Sequence, residues 1–149
     1  MDSDKTLLAF NRLIALDFDA ADAYDAALAR IDDGPSRRKL TAFRNDHLRH
    51  TLTLGAEVKR LGGKPVRGPD YKRLMTKGLV VLANLAGDRA VLRAMRTNEE
   101  LTNRAYETAL KLKNLTAKQR GLLERNLRDE RRHRAWIIDR LRALRKGAA

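Results

Sequence analysis

The chain has 149 residues, no cysteine, 32 Lys and Arg against 19 Asp and Glu, a formal net charge of +13 and a pI near 10.7. Its length suits one domain with a real core, the lack of cysteine excludes a disulfide framework, a thiolate zinc site and an iron–sulfur cluster, and no apolar run approaches the ~18 residues needed to cross a bilayer. The basic excess suits weak contact with nucleic acid or another polyanion, yet Lys and Arg are interspersed with acids, with no glycine-rich phosphate loop and no helix-turn-helix or zinc-finger spacing, so a solvated basic surface is the simpler reading.

Leu, Ala, Arg and Lys dominate, a composition that favours helix. The start, Met1-Asp2-Ser3-Asp4, is acidic and carries no secretory pattern, so a cytoplasmic location and no membrane insertion are expected. A first helix is predicted over residues 3–31. Its apolar stripe runs Leu7, Phe10, Ile14, Asp17, Ala21, Tyr24, Leu28, Ile31 at spacings of three and four, the pattern of a core-facing helix. Gly34-Pro35 breaks it, and Asp33 or Ser36 can cap the next helix. That second helix, over 35–61, carries Leu40, Phe43, His47, His50, Leu54, Val58 and Leu61, and stops at Gly62-Gly63.

Lys64 to Pro69 reads as loop. A shorter helix is predicted over 70–85, with Leu74, Leu79, Val81, Leu82 and Leu85 on its apolar side. Leu79-Val80-Val81-Leu82 is the most apolar short segment of the chain; packing within the chain is its simplest use, a homodimer contact the other. A third long helix, over 88–113 with Asp88 as N-cap, carries Leu92, Met95, Glu99, Thr102, Tyr106 and Ala109. Thr116 followed three residues later by Gln119 forms a capping box and opens a fourth helix over 116–145, with Leu123, Asn126, Glu130, His133, Ile137, Leu141 and Leu144; the last four residues are expected to fray.

Short links join the first and second helices and the third and fourth, so each pair forms an antiparallel hairpin. The second and third are joined by a long crossover containing the extra helix. The expected fold is therefore all-α, a single antiparallel four-helix bundle spanning 1–149. An internal repeat agrees. The segment from Asp17 through Tyr24 to Leu28 aligns with Glu99 through Tyr106 to Leu110, and Asp46-His47-Leu48-Arg49-His50 aligns with Asp129-Glu130-Arg131-Arg132-His133, at offsets of 82 and 83 residues.

Six ionisable side chains interrupt the stripes: Asp17, His47, His50, Glu99, Glu130 and His133. They include every histidine of the chain. Burying such groups is costly unless they pair or bind a metal. The i, i+3 spacing of Glu130-Arg131-Arg132-His133 places a carboxylate and an imidazole on one helix face. A dimetal carboxylate site uses one acid from each of two helices and Glu-x-x-His from each of the other two.

In these residues the chain resembles the ferritin-like superfamily over nearly its whole length, and looks most similar to small bacterial ferritin-like proteins of unassigned function, with bacterioferritins and rubrerythrins as more distant relatives. The resemblance implies a centre within the bundle holding divalent metal, iron first and zinc or manganese as alternatives, and no haem. It implies Asp17 and Glu99 as terminal carboxylate ligands, His50 and His133 as imidazole ligands and Glu130 as a bridging carboxylate. It further implies Asp46 orienting His133, Asp129 orienting His50, and Tyr24 and Tyr106 donating hydrogen bonds to ligand carboxylates.

Two positions depart from the pattern. Asp17 stands in place of Glu and reaches one methylene less far. His47 stands where the second bridging Glu would be, and a neutral imidazole cannot bridge two ions. With it, two divalent cations would leave the set at a net charge of +1 instead of zero, which argues against a regular diiron oxidase; one ion held by imidazoles and acids, or an altered pair, are the alternatives. No catalytic residue is assigned. Two functions are expected to compete: metal or oxidative-stress handling, and a metal-free bundle acting as a basic binding or structural protein. Tyr24, Tyr106 and Trp136 have a simpler reading as packing residues, and Arg49, Arg131 and Arg132 as solvated ones, the alternative being an arginine near the mouth paired with Asp46 or Asp129.

Overall fold

The computed structural model describes residues 2–69 and 87–147. The short helix expected over 70–85 lies outside them. Among the described residues there are four helices, α1 (Asp2–Leu28), α2 (Gly34–Arg60), α3 (Asp88–Ala109) and α4 (Ala117–Gly147), and no strand. α1 packs on α2 and α3 on α4, and the two hairpins meet through α1 with α3 and α2 with α4.

The apolar stripes bury two clusters, one on each side of a polar level. On one side lie Tyr24, Phe43, Met95 and Ile137, one from each helix. On the other lie Ile14, Leu54, Tyr106 and Leu127, again one from each. Each helix therefore passes from apolar core through a polar turn and back into apolar core. Removing this surface from water is the main drive to fold, and it fixes the depth at which the polar turns meet.

Helix ends differ from the periodicity by a few residues. α1 stops at Leu28, where Arg37 Nη1 donates to the carbonyls of Leu28 and Ile31, at 2.6 and 2.9 Å, and takes over acceptors that a longer helix would have satisfied. α3 stops at Ala109; Asn114, at φ 67°, then turns the chain towards the capping box, a left-handed conformation that Asn tolerates. α4 is helical through Gly147, two residues beyond the expected end at 145.

The capping box forms as a reciprocal pair. Gln119 N donates to Thr116 Oγ1 at 3.1 Å, and Thr116 N to Gln119 Oε1 at 3.0 Å. At the end of α2, Gly62 takes φ 83°, and Gly62 N and Gly63 N donate to the carbonyls of Lys59 and Val58 in a Schellman motif. Asp88 does not cap α3. It is the first helical residue after Gly87, and its carboxylate accepts from Asp32 N and Asp33 N, each at 2.9 Å, tying the α1–α2 turn to the start of α3. A carboxylate at a helix N-terminus is favoured by the dipole whether or not it caps.

Asp33 caps α2 through Ser36 N at 3.1 Å and also pairs with Arg140 Nη2 at 2.6 Å. Asp33→Ala is expected to cost about 1 kcal/mol, read as a thermal midpoint lower by about 2–4 °C for a domain of this size. An unchanged midpoint would show that neither contact contributes.

Candidate metal centre

The polar turns converge from all four helices. α1 brings Asp17, α2 His47 and His50, α3 Glu99, α4 Glu130 and His133, and each is at most 1% exposed. They fall into two overlapping groups, each able to hold a metal ion: Asp17, His47, His50 and Glu130, and His47, Glu99, Glu130 and His133. His47 and Glu130 belong to both.

Four imidazole nitrogens face inward, both of His47 and the Nδ1 of His50 and of His133. His47 Nδ1 lies 2.8 Å from Asp17 Oδ1 and 3.3 Å from Glu130 Oε1, while its Nε2 lies 3.0 Å from Glu99 Oε1. His50 Nδ1 is 3.3 Å from both Asp17 Oδ1 and Glu130 Oε1. His133 Nδ1 is 3.2 Å from Glu99 Oε1 and 3.7 Å from Glu130 Oε2.

The outer nitrogens are held across the bundle. His50 Nε2 lies 2.9 Å from Asp129 Oδ2 on α4, and His133 Nε2 lies 2.8 Å from Asp46 Oδ2 on α2. A carboxylate on Nε2 fixes the proton there and turns the Nδ1 lone pair inward, the arrangement found behind metal-bound histidine. Arg49 and Arg132 each reach both aspartates, at 2.5–3.0 Å, and about half of each arginine remains exposed. They are tied across the α2–α4 seam and not merely solvated.

Each hairpin's tyrosine donates to the other hairpin's acid: Tyr24 Oη to Glu99 Oε1, and Tyr106 Oη to Asp17 Oδ2 at 2.5 Å. Burial, reinforced by Glu99 and by Asp17 respectively, pushes both phenols well above their ordinary range, so they remain donors. Helix periodicity assigns no role to Thr102, Asn103 or Asn126. Thr102 Oγ1 donates to Glu130 Oε2 at 3.0 Å, Asn103 Nδ2 joins the carbonyls of Glu99 and Glu130 at 2.7 and 3.2 Å, and Asn126 Nδ2 donates to Tyr106 Oη at 3.2 Å. The signal was a neutral polar residue on the stripe beside an ionised one, visible for Thr102 and Asn126. Trp136 sits edge-on to Phe43 at a centroid distance of 5.8 Å, in the packing place expected of it.

Burial alone would discharge this cluster, and its partners oppose that. For Asp17, burial pushes upward but the hydrogen bonds and charges of His47 and His50 hold the carboxyl below its ordinary range. Glu99 is held well down in the same way by His47 and His133. Glu130 is raised, because burial and the charge of Glu99 outweigh its imidazole neighbours. Asp46 falls to about 2, since His133, Arg132 and Arg49 overcome its burial; Asp129 is lowered by His50, Arg132 and Arg49 against the same penalty. Burial would lower His50 and His133, yet the surrounding carboxylates raise them to about 10 and about 9.

A pH dependence follows for the metal-free protein. The folded values of His50 and His133 lie above the ordinary 6.5, so the folded state holds protons that the unfolded state releases. Their contribution is complete below pH 6.5 and is lost as pH climbs through about 9 and about 10. Denaturant midpoints measured from pH 6 to pH 10 should fall on the alkaline side. A flat profile would mean that the imidazoles are not held by these carboxylates.

The donor set fits a metal ion. Glu130 Oε1 is buried with no hydrogen-bond partner, and it points at the Nδ1 atoms of His47 and His50. Imidazole nitrogen with carboxylate oxygen suits zinc, iron, manganese and other first-row divalent ions.

A family model described as "Domain of unknown function (DUF2383)" matches residues 5–112, from α1 to just beyond α3. The chain belongs to this family. The matched stretch contains Asp17, His47, His50 and Glu99, while α4 with Glu130 and His133 follows it. The fold is a four-helix bundle. It is similar to a crystal structure described as ferritin-like, diiron-carboxylate proteins from Bacillus anthracis str. Ames, with a TM-score of 0.78 and 23% identity over 95% of this chain and 98% of that one. At that identity the likeness concerns the fold. No curated protein matches the chain. Among the described residues, no helix is long and apolar enough to cross a membrane.

Proposed function

We propose that this protein binds a divalent metal ion, iron or another first-row metal, between its four helices and serves metal or oxidative-stress handling. One observation carries the reading: the fully buried Glu130 Oε1, without a hydrogen-bond partner, faces the Nδ1 atoms of His47 and His50, whose other nitrogens are already held by Glu99 and Asp129. The description of the Bacillus anthracis structure as a diiron-carboxylate protein supports the same chemistry for this fold.

Asp17, Glu99, Glu130, His47, His50 and His133 are the candidate donors. Asp46 and Asp129 orient His133 and His50, and Arg49 and Arg132 keep those aspartates ionised. Tyr24 and Tyr106 orient Glu99 and Asp17 by donating to one oxygen of each. The apolar clusters above and below exclude water, which strengthens each charge interaction inside. A bound ion would supply Lewis acidity and, for a redox metal, one-electron chemistry.

A metal-free polar core is the second reading. It is favoured by the near-complete hydrogen bonding of the cluster, in which Glu130 Oε1 is the exception among these six side chains. Elemental analysis of untagged protein, followed by anaerobic Fe(II) titration of the metal-free form, decides between them. Tight binding is expected. Its absence would leave a buried hydrogen-bonded network and turn attention to the basic surface, where nucleic-acid binding would weaken steeply with salt.

A further inference from the structure

The two halves of the centre are unequal. In the half formed by Asp17, His47, His50 and Glu130, three donor separations are 3.3 Å: Glu130 Oε1 to His47 Nδ1, Glu130 Oε1 to His50 Nδ1, and His50 Nδ1 to Asp17 Oδ1. Four donors bonded tetrahedrally at ~2.0–2.1 Å lie ~3.3–3.4 Å from one another along the edges. These three separations are near those an ion requires, while the 2.8 Å contact of His47 Nδ1 with Asp17 Oδ1 must open.

The other half is occupied by hydrogen bonds. Glu99 Oε1 accepts from Tyr24 and faces His47 Nε2 at 3.0 Å and His133 Nδ1 at 3.2 Å. Glu130 Oε2 accepts from Thr102 at 3.0 Å and stands 3.7 Å from His133 Nδ1. These oxygens are already engaged, and their separations are irregular.

His47 ties the halves together. A neutral imidazole offers one lone pair and one N–H. If Nδ1 gives its lone pair to an ion beside Asp17, the proton stands on Nε2, aimed at Glu99. A second ion beside Glu99 would need that same nitrogen. A glutamate at this position would carry two oxygens, one for each ion, and would impose no such exclusion.

We propose that the bundle takes a single divalent ion, held by Asp17, His47, His50 and Glu130, and that the Nε2–H of His47 occupies the other half by donating to Glu99. This rests on the metal reading above and adds the number and place of the ion. Glu99 and His133 then act as positioning residues that fix the ring of His47.

Anaerobic calorimetric titration of the full metal-free chain with Zn(II), alongside Co(II) absorption to report coordination, tests the proposal. Wild-type protein should take one equivalent. His50→Ala should weaken binding by about 1,000-fold or more, as loss of a direct ligand does, whereas His133→Ala should weaken it by no more than about 100-fold, the range for an outer partner. H47E should raise the stoichiometry to two. Two equivalents in the wild type, or equal losses in His50→Ala and His133→Ala, would overturn the single-ion assignment while leaving a metal centre standing. No tight ion at all would overturn both. Should H47E fail to fold, as judged by circular dichroism, the wild-type stoichiometry and the histidine pair still decide.

Discussion

Saturating the metal-free protein with Zn(II) should raise its thermal midpoint by roughly 8–16 °C, and Glu130→Gln should abolish most of that rise. An ion present at about 1,000 times its dissociation constant stabilises the folded state by about 4 kcal/mol, and a domain of this size moves by about 2–4 °C for each kcal/mol. Glu130 is the carboxylate common to both candidate ligand groups. Glutamine keeps its shape and its contact with Thr102 but removes the anionic oxygen that lacks a partner. Because burial already disfavours the charged form of Glu130, the metal-free variant should remain folded, with a midpoint close to that of the parent. A Glu130→Gln protein that gained the full rise would show that zinc binds elsewhere, and a parent with no rise would remove the metal reading.

His47→Leu should destabilise the metal-free protein by about 3–5 kcal/mol, the range for breaking one partner out of a buried charge pair. His47 is fully buried, and its two nitrogens meet Asp17 at 2.8 Å and Glu99 at 3.0 Å. Burial alone would lower its affinity for a proton, but Glu130, Glu99 and Asp17 raise it well above the ordinary histidine range. Leucine fills similar space and supplies no N–H, so three buried carboxylates lose a cation they share. They would then take up protons on folding, so below pH 6.5, where His47 of the parent is protonated folded or unfolded, the deficit should narrow as pH falls towards the carboxylate range. Urea midpoints at pH 5 and pH 6.5 for parent and variant measure this directly. A deficit below about 1 kcal/mol at both values, the size of an ordinary neutral hydrogen bond, would show that His47 is not the cation of the core.

The sequence made the fold legible because helix periodicity is a local property. Spacings of three and four residues, the Gly34-Pro35 and Gly62-Gly63 stops and the Thr116-Gln119 box each act within a turn or two of helix, and the four long helices follow them to within a few residues. Asp88 was misread because one carboxylate has two uses at a helix start. Its partners, Asp32 N and Asp33 N, stand more than fifty residues away in the chain, where no local pattern reaches. The early end of α1 has a similar cause, since the side chain of Arg37 satisfies carbonyls beyond Leu28.

The polar positions were legible by contrast: a charged residue on an apolar stripe is conspicuous, and six such residues at matched offsets in two hairpins are more so. The sequence by itself therefore determined the helices, the faces they bury and the set of side chains that meet inside. Which atom of each faces which neighbour was a matter for the tertiary structure alone. The sequence marks His47 as the departure from a bridging acid, but only packing shows that its two nitrogens address opposite halves of the centre, that Glu130 Oε1 lacks a partner, and that Thr102 engages the other oxygen. Periodicity fixes a residue's angle around its own helix, whereas hydrogen-bond and ligand geometry depends on ångström-scale distances between helices, which the packing of the flanking apolar clusters sets.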